Sequence, residues 1–251
     1  MRIAQLRQRL HDLGAKPCHQ DRLLRGWSQV SSYDRKHSPS ATFFPLALRN
    51  ELAKIEAELN SLACLHGEYP ADEEVARLLV QLADGQMVES VLLPRGGLCV
   101  STQVGCAVGC VFCMSGRNGL LRQLGSAEIV AQVVLARRRR TVNKVVFMGM
   151  GEPAHNLDNV LEAINVLGTQ GNIGHKNLVF STVGDLRVFE RLPQETVKPA
   201  LALSLHTTDA SLRAKLLPHA PEIPITELVE HAEAYARATA YRRIYKTWTA
   251  A

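Results

Sequence analysis

The chain has 251 residues, 46% hydrophobic and 21% charged, with a formal net charge of +5. That balance excludes a disordered tail and a collagen-like or low-complexity filament, and the length can bury a sizeable core without disulfide staples. No run approaches the roughly 18 uninterrupted apolar residues of a membrane span, and MRIAQLRQRLHDL is too often charged for a signal peptide, so a cytoplasmic protein is expected.

Ile3, Leu6, Leu10 and Leu13 recur at helical spacing, as do Leu48, Leu52, Ile55, Leu59 and Leu62, with a loop around Ser38-Pro39-Ser40 between them. Residues 1–74 are therefore predicted to form a small helical domain. The charge is uneven along the chain. Residues 1–40 carry eight Lys/Arg against three Asp/Glu, residues 41–90 three against nine, and residues 91–251 carry 18 against 12. Two basic segments flanking an acidic one suit a polyanion such as RNA, although cationic faces are more often simply solvated. The runs 75–82 and 86–93 flank Asp84-Gly85, a turn signal, and predict a β-hairpin linker over 75–97.

From residue 98 to 251 strands and helices alternate. Apolar runs at 98–104, 144–149, 177–182 and 199–205 read as strands. Helices follow near 126–140, 156–168, 185–192, 209–217 and 226–238, with Ser126, Asn156, Asp185, Asp209 and Thr226 as N-caps. This is an α/β pattern with a parallel sheet, whose chemistry belongs at the carboxyl ends of the strands. No GxGxxG follows the first strand, so a dinucleotide-binding reading lacks its main support. Arg137–Arg140 close an apolar helix, where cations complement the negative end of the dipole.

The sharpest signal is GLCVSTQVGCAVGCVFCMSG at 97–116. Cysteines in a cytoplasmic protein serve metal or redox chemistry more often than bridges. Cys106, Cys110 and Cys113 are spaced C-x3-C-x2-C directly after the first core strand. Three thiolates on one tight loop can ligate three irons of a 4Fe–4S cube and leave the fourth open. Gly105 and Gly109 let the backbone fold closely around it. Zinc is the competitor. A structural zinc site wants four protein ligands, and only Cys99 could complete the set locally. Cys18 and Cys64 match no motif and read as small hydrophobes.

The Cys motif, with Phe112 before its last cysteine, resembles the radical S-adenosylmethionine (SAM) signature. VESVLLP at 88–94, LCVSTQVGC at 98–106, VVFMGMGEP at 145–153, STVG at 181–184 and ALSLH at 202–206 resemble, in order, the blocks of the RlmN/Cfr family of radical-SAM RNA methyltransferases. The match runs from about Val75 to about Tyr235. The resemblance implies a partial (β/α) radical-SAM barrel, a 4Fe–4S cluster on Cys106, Cys110 and Cys113, and SAM as cofactor. It implies SAM contacts from Gly151, Glu152, Ser181, Ser204, Leu205 and His206. It gives Glu89 the role of proton acceptor from adenine C2, and Cys99 that of the thiol resolving a covalent protein–RNA adduct. Three residues fewer separate Glu89 from Cys99 here than in the family.

The implied activity is methylation of adenosine C2 in 23S ribosomal RNA, with transfer RNA as a further substrate and a flavodoxin-type reductant as partner. Arg22, Arg25, Trp27, Tyr33, Arg35 and Lys36 are the N-terminal cations and aromatics expected to meet RNA. Family members carry a further C-terminal segment with a methyl-carrying cysteine, whereas no cysteine follows Cys113 here. A barrel incomplete at the C-terminus is therefore expected. The alternative is a methylation-inactive relative that holds a cluster or zinc and binds RNA, or cleaves SAM without methyl transfer.

Overall fold

The computed structural model describes residues 1–34, 39–240 and, for the backbone alone, 244–246. Arg35, Lys36 and Trp248 lie outside the described residues. The N-terminal region is helical as expected: α1 (Ile3–Asp12), α2 (Pro17–Gln29), the short α3 (Ser40–Phe43) and α4 (Leu46–Ser61). Pro17 starts α2 with its φ already set, and Val30 ends it in the left-handed conformation. Ile3, Leu6 and Leu10 of α1 and Leu23, Leu24 and Trp27 of α2 share one continuous core with the rest of the chain. Arg22 lies inside as well, its guanidinium 3.7 Å from the centre of the Phe43 ring. Trp27 and Arg22 therefore pack the protein rather than face RNA, whereas Arg25 is exposed. Cys18 and Cys64, read from the sequence as small hydrophobes, are exposed.

The helical region ends earlier than the apolar spacing suggested. Ala63–Pro70 is a strand, β1, which pairs antiparallel with β2 (Ala76–Leu82), and β2 pairs with β3 (Met87–Leu93). The predicted hairpin exists, but it is not a linker: it extends the main sheet. Pro94, Arg95 and Gly96 make a tight turn into β4 (Gly97–Val100), which accounts for the short spacing between Glu89 and Cys99. The run at 98–104 splits. After Ser101 the chain leaves the sheet, and β5 (Gln103–Gly105) pairs instead with β6 (Leu120–Gln123) in a separate ribbon.

The parallel part follows with α5 (Ser126–Arg137), β7 (Lys144–Phe147), α6 (Leu157–Thr169), β8 (Leu178–Thr182), α7 (Leu186–Arg191), β9 (Ala200–Ser204), α8 (Ala210–Leu216), α9 (Ile225–Thr239) and β10 (Ile244–Lys246). The main sheet runs β1-β2-β3-β4-β7-β8-β9-β10, antiparallel as far as β4 and parallel beyond. Every residue of β8 and β9 is buried, as parallel strands require. Asn156, Asp185 and Asp209 occupy their predicted N-caps. Ser126 and Thr226 do not; Gly125 and Pro224 take those places. The Ser126 hydroxyl instead accepts the Ile3 N–H at 2.7 Å and joins α1 to α5.

Helix α5 is buried on nearly all sides because α2, α4, α6 and the sheet surround it. Its arginine tail staples neighbouring segments. Arg137 donates to the Ser28 and Val142 carbonyls, Arg138 to Asn60 and Arg139 to Glu68, while Arg140 reaches the Glu74, Leu93 and Gly97 carbonyls.

Beyond Ser126 and Glu128 of its first turn, α5 buries a further polar residue at mid-helix. Gln132 is fully buried; its Oε1 accepts from Ser90 Oγ and from Ser101 N, both at 2.9 Å, and its Nε2 donates to the Ser101 carbonyl. These bonds fix the point where β4 leaves the sheet. Gln132→Leu keeps the volume but strands three buried polar groups, so it should lower the unfolding free energy by about 3 kcal/mol, measured by urea denaturation. Lys54→Ala on the exposed face of α4 should change it by less than about 0.5 kcal/mol.

Candidate functional site

The carboxyl ends of β7, β8 and β9 open into a cavity of about 540 Å³. Its wall on one side is the cysteine loop, with Cys106, Cys110, Phe112 and Cys113; the other side carries Gly149, Gly151, Glu152, Ser181, Ser204 and His206. Two distant predicted clusters thus meet because the loop leaving β4 folds back over the neighbouring strand ends. Gly105 makes this possible: its φ is +80°, and a Cβ there would lie 2.1 Å from the Gly119 carbonyl oxygen. The Cys113 N–H closes the loop on the Cys110 carbonyl at 2.9 Å. Phe112 leans on His206, ring centres 4.8 Å apart, and His206, two residues beyond β9, has a left-handed φ of +64°. Such a conformation costs about 1 kcal/mol or more and is held by the surrounding packing.

Glu152 sits at the back of the cavity. Its carboxylate accepts the Ala154 N–H at 3.1 Å and the Val183 N–H at 3.0 Å, while its own N–H is donated to Gln103 Oε1 at 2.8 Å. Gly151 precedes it at φ +100°, and any Cβ there would collide with the Gln103 side chain at 2.6 Å. Burial pushes the Glu152 carboxyl up to about 7; the Ala154, Thr182 and Val183 hydrogen bonds pull the other way, and Asp185 adds to the push. Across the cavity Ser181 Oγ and Ser204 Oγ lie 3.3 Å apart. Leu205 is buried in the main core and does not line the cavity.

Glu89 and Cys99 lie outside the cavity lining but on one face of the sheet that leads to it. Cys99 is in register with Val91, Val146 and, through Val146, Val179, which makes a row across four strands. Glu89 is two residues from Val91 on the same face. Its carboxylate meets Arg77 at 2.9 Å, half exposed, and its carbonyl accepts the Ser101 hydroxyl, which in turn accepts the Met150 N–H beside the cavity. Gln103, Gln132 and Asn156 organise this region; the sequence marks Asn156 only as a helix N-cap and does not single out the two glutamines. The one available signal was an amide within an otherwise apolar run.

The donor set fits a cluster better than a single ion. Burial pushes the Cys106 thiol up, and burial with the neighbouring sulfurs Cys106 and Cys113 pushes Cys110 up to about 11. Two enclosed thiols whose ionisation is disfavoured, beside the exposed Cys113, call for a positive centre. Among the described residues no three His, Cys, Asp or Glu converge closely enough for one metal ion, whereas thiolates on a cube bind separate irons and stay apart. Cys99, on β4, does not join the triad around the cavity, so it does not complete a four-cysteine zinc set.

A sequence model of the Radical SAM superfamily matches residues 100–242. A protein of Azoarcus sp. (strain BH72) named "Probable RNA methyltransferase" is 69% identical over 249 residues, covering 99% of this chain and 72% of the relative. A protein of the same designation in Pseudomonas aeruginosa (strain UCBPP-PA14) is 67% identical over 251 residues, again covering 72% of the relative. The crystal structure of a radical SAM methyltransferase from Sphaerobacter thermophilus superposes with a TM-score of 0.78 at 31% identity, over 98% of this chain and 74% of that one. The superfamily implies a 4Fe–4S cluster and SAM, which the residues around the cavity fit. Among the described residues no helix is long and apolar enough to cross a membrane.

The raised carboxyl of Glu152 has a pH signature in the metal-free protein. A carboxyl whose folded pKa lies near 7, against an ordinary value of 4.5, stabilises the fold fully below 4.5 and loses that contribution as pH rises through 7. The loss should amount to about 3 kcal/mol. Urea unfolding at pH 4.5 and 7.5 should show it as a slope that Glu152→Gln removes; equal slopes for the two proteins would refute it.

Proposed function

Because this chain belongs to the radical SAM superfamily, we propose that it is an RNA methyltransferase of the RlmN/Cfr type, acting in the cytoplasm at C2 of an adenosine in 23S ribosomal RNA. Transfer RNA is the second substrate class of this reading, and a flavodoxin-type protein is the reductant. The observation that carries it is the convergence of three cysteines, Gly151, Glu152, Ser181, Ser204 and His206 on one cavity. The relatives named as RNA methyltransferases support the substrate class.

When bound, the cluster and SAM supply a carbon radical and a methyl group. Cys106, Cys110 and Cys113 hold the cluster as thiolates. Gly151 exposes backbone where a side chain would block it, and Glu152 offers a carboxylate to the ammonium of the SAM methionine. That ammonium would favour the charged form which burial disfavours. The hydroxyls of Ser181 and Ser204, the Leu205 backbone and His206 form the side that receives the nucleoside part.

Glu89 takes the C2 proton of the adenine ring. Arg77 holds its carboxylate in the meantime, on a partly exposed face of the sheet that an incoming base can reach. The Cys99 thiolate would attack the protein sulfur of the adduct, forming a disulfide with it while that sulfur's bond to the adenine-bound carbon breaks and the carbon takes up the electron pair and a proton. The adduct-bearing cysteine of the family has no counterpart after Cys113 in this sequence. The target base leaves its stack to enter, while Lys16 and Arg25, exposed on the N-terminal helices, contact phosphates without reading sequence.

Anaerobic reconstitution should load about four irons per chain, and Cys110→Ala should reduce this to background. With dithionite, methyl-labelled SAM and 23S RNA, label should appear at adenine C2. Production of 5′-deoxyadenosine with no label in RNA would overturn methylation and leave SAM cleavage alone.

A further inference from the structure

Helix α8 and the segment after it press against the cysteine loop. The Val111 N–H donates to the Leu216 carbonyl at 3.1 Å, the His219 N–H donates to the Val108 carbonyl at 3.3 Å, and Leu217 packs with Cys106, Val108 and Val183. Cys110 lies at the margin of that cluster. Enclosed in the same contact is Arg213, only 6% exposed. Its Nη2 donates to the carbonyl of Val183, a residue that lines the cavity.

That bond needs only a neutral donor, so it does not explain a full positive charge here. Among the described residues no carboxylate pairs with Arg213, and its Nε is buried with no hydrogen-bond partner. An enclosed cation without an anion is strongly disfavoured. Burial accordingly lowers the guanidinium's pKa, and the one charge that favours its ionised form is the sulfur of Cys110. Arg137 and Arg140 at the end of α5 are also partly enclosed, and burial lowers the Arg137 pKa, but Arg137 donates to the Ser28 and Val142 carbonyls and Arg140 to those of Glu74, Leu93 and Gly97, whereas Arg213 donates to the Val183 carbonyl.

We propose that Arg213 is the internal counter-cation of the cluster held by Cys106, Cys110 and Cys113, a positioning residue that stabilises the reduced cluster and so raises its reduction potential. The inference rests on those three cysteines being the ligands. A cube with three thiolates goes from one net negative charge to two when it takes up one electron, and a fixed cation in a low-dielectric wall favours the more negative state. Arg213 is suited to this because its guanidinium carries a fixed, delocalised charge while one of its nitrogens donates to the Val183 carbonyl.

The test is an anaerobic redox titration of the reconstituted full chain with dithionite, without SAM, followed by the electron paramagnetic resonance signal of the reduced cluster. Arg213→Gln should lower the ratio of reduced to oxidised cluster at a fixed potential at least tenfold, a downward shift of about 59 mV for one electron. Arg213→Lys, which keeps the charge but not the planar fork, should stay within about threefold of the parent. A parent potential unchanged in the glutamine variant, or equal shifts in both variants, overturns the proposal. Should the glutamine variant hold no iron, iron content becomes the reading. Loading of the lysine variant alone supports the role, and failure of both overturns it. A parent that takes up no iron refutes the ligand assignment itself, which separates that failure from failure of Arg213.

Discussion

The Glu152 carboxylate accepts the Val183 N–H from the end of β8 and the Ala154 N–H from the turn it begins, while its own N–H is held by Gln103 at the start of β5. One fully enclosed group thereby joins the exits of three strands. Gln103 reaches it only because Gly151 has no side chain, and Gln103 is steadied in turn by Gln123 at 2.8 Å. Without these bonds the strand exits would splay, since each buried N–H left unpaired costs about 1–3 kcal/mol. The cavity is the space these fixed exits enclose.

Buried amides repeat the device elsewhere. Gln132 holds Ser90 and Ser101 where β4 leaves the sheet, and Asn156 donates to the Thr102 and Leu124 carbonyls at 2.8 and 2.7 Å. Each lies where the backbone departs from regular structure and its polar groups would otherwise be stranded. The cysteine loop itself has few such bonds. It is held by a tight turn, by Phe112 against His206 and by the apolar packing of Leu217. The Cys106 and Cys110 thiols, pushed up by burial and by neighbouring sulfurs, are therefore more strongly organised when iron replaces their protons.

The N-terminal helices belong to the same construction. Their apolar faces continue the main core, Ser126 ties α1 to α5, and Arg137 reaches back to the Ser28 carbonyl. The basic residues of this region therefore divide by role. Arg22 is internal and stacks on Phe43, and the run at the end of α5 binds carbonyls and Glu68. Only cations that point to solvent, such as Lys16 and Arg25, remain for a polyanion.

Local chemistry settled what depends on near neighbours. Apolar periodicity located the core helices and the strands β7, β8 and β9; Asp185 and Asp209 announced their caps; Asp84-Gly85 announced the hairpin turn. The spacing of Cys106, Cys110 and Cys113 identified the loop, since ligands on one short segment need no distant partner to be recognised. Tertiary structure decided the rest. Ala63–Pro70 is a strand because β2 offers it a paired edge, Trp27 is buried because α5 covers it, and 98–104 breaks because Gln132 captures Ser101. Such outcomes depend on groups brought together from far along the chain, and an isolated segment carries no energy term for them. The same holds for Arg213: as a sequence it is one more basic residue in a helix, and only the fold encloses its charge beside the sulfurs.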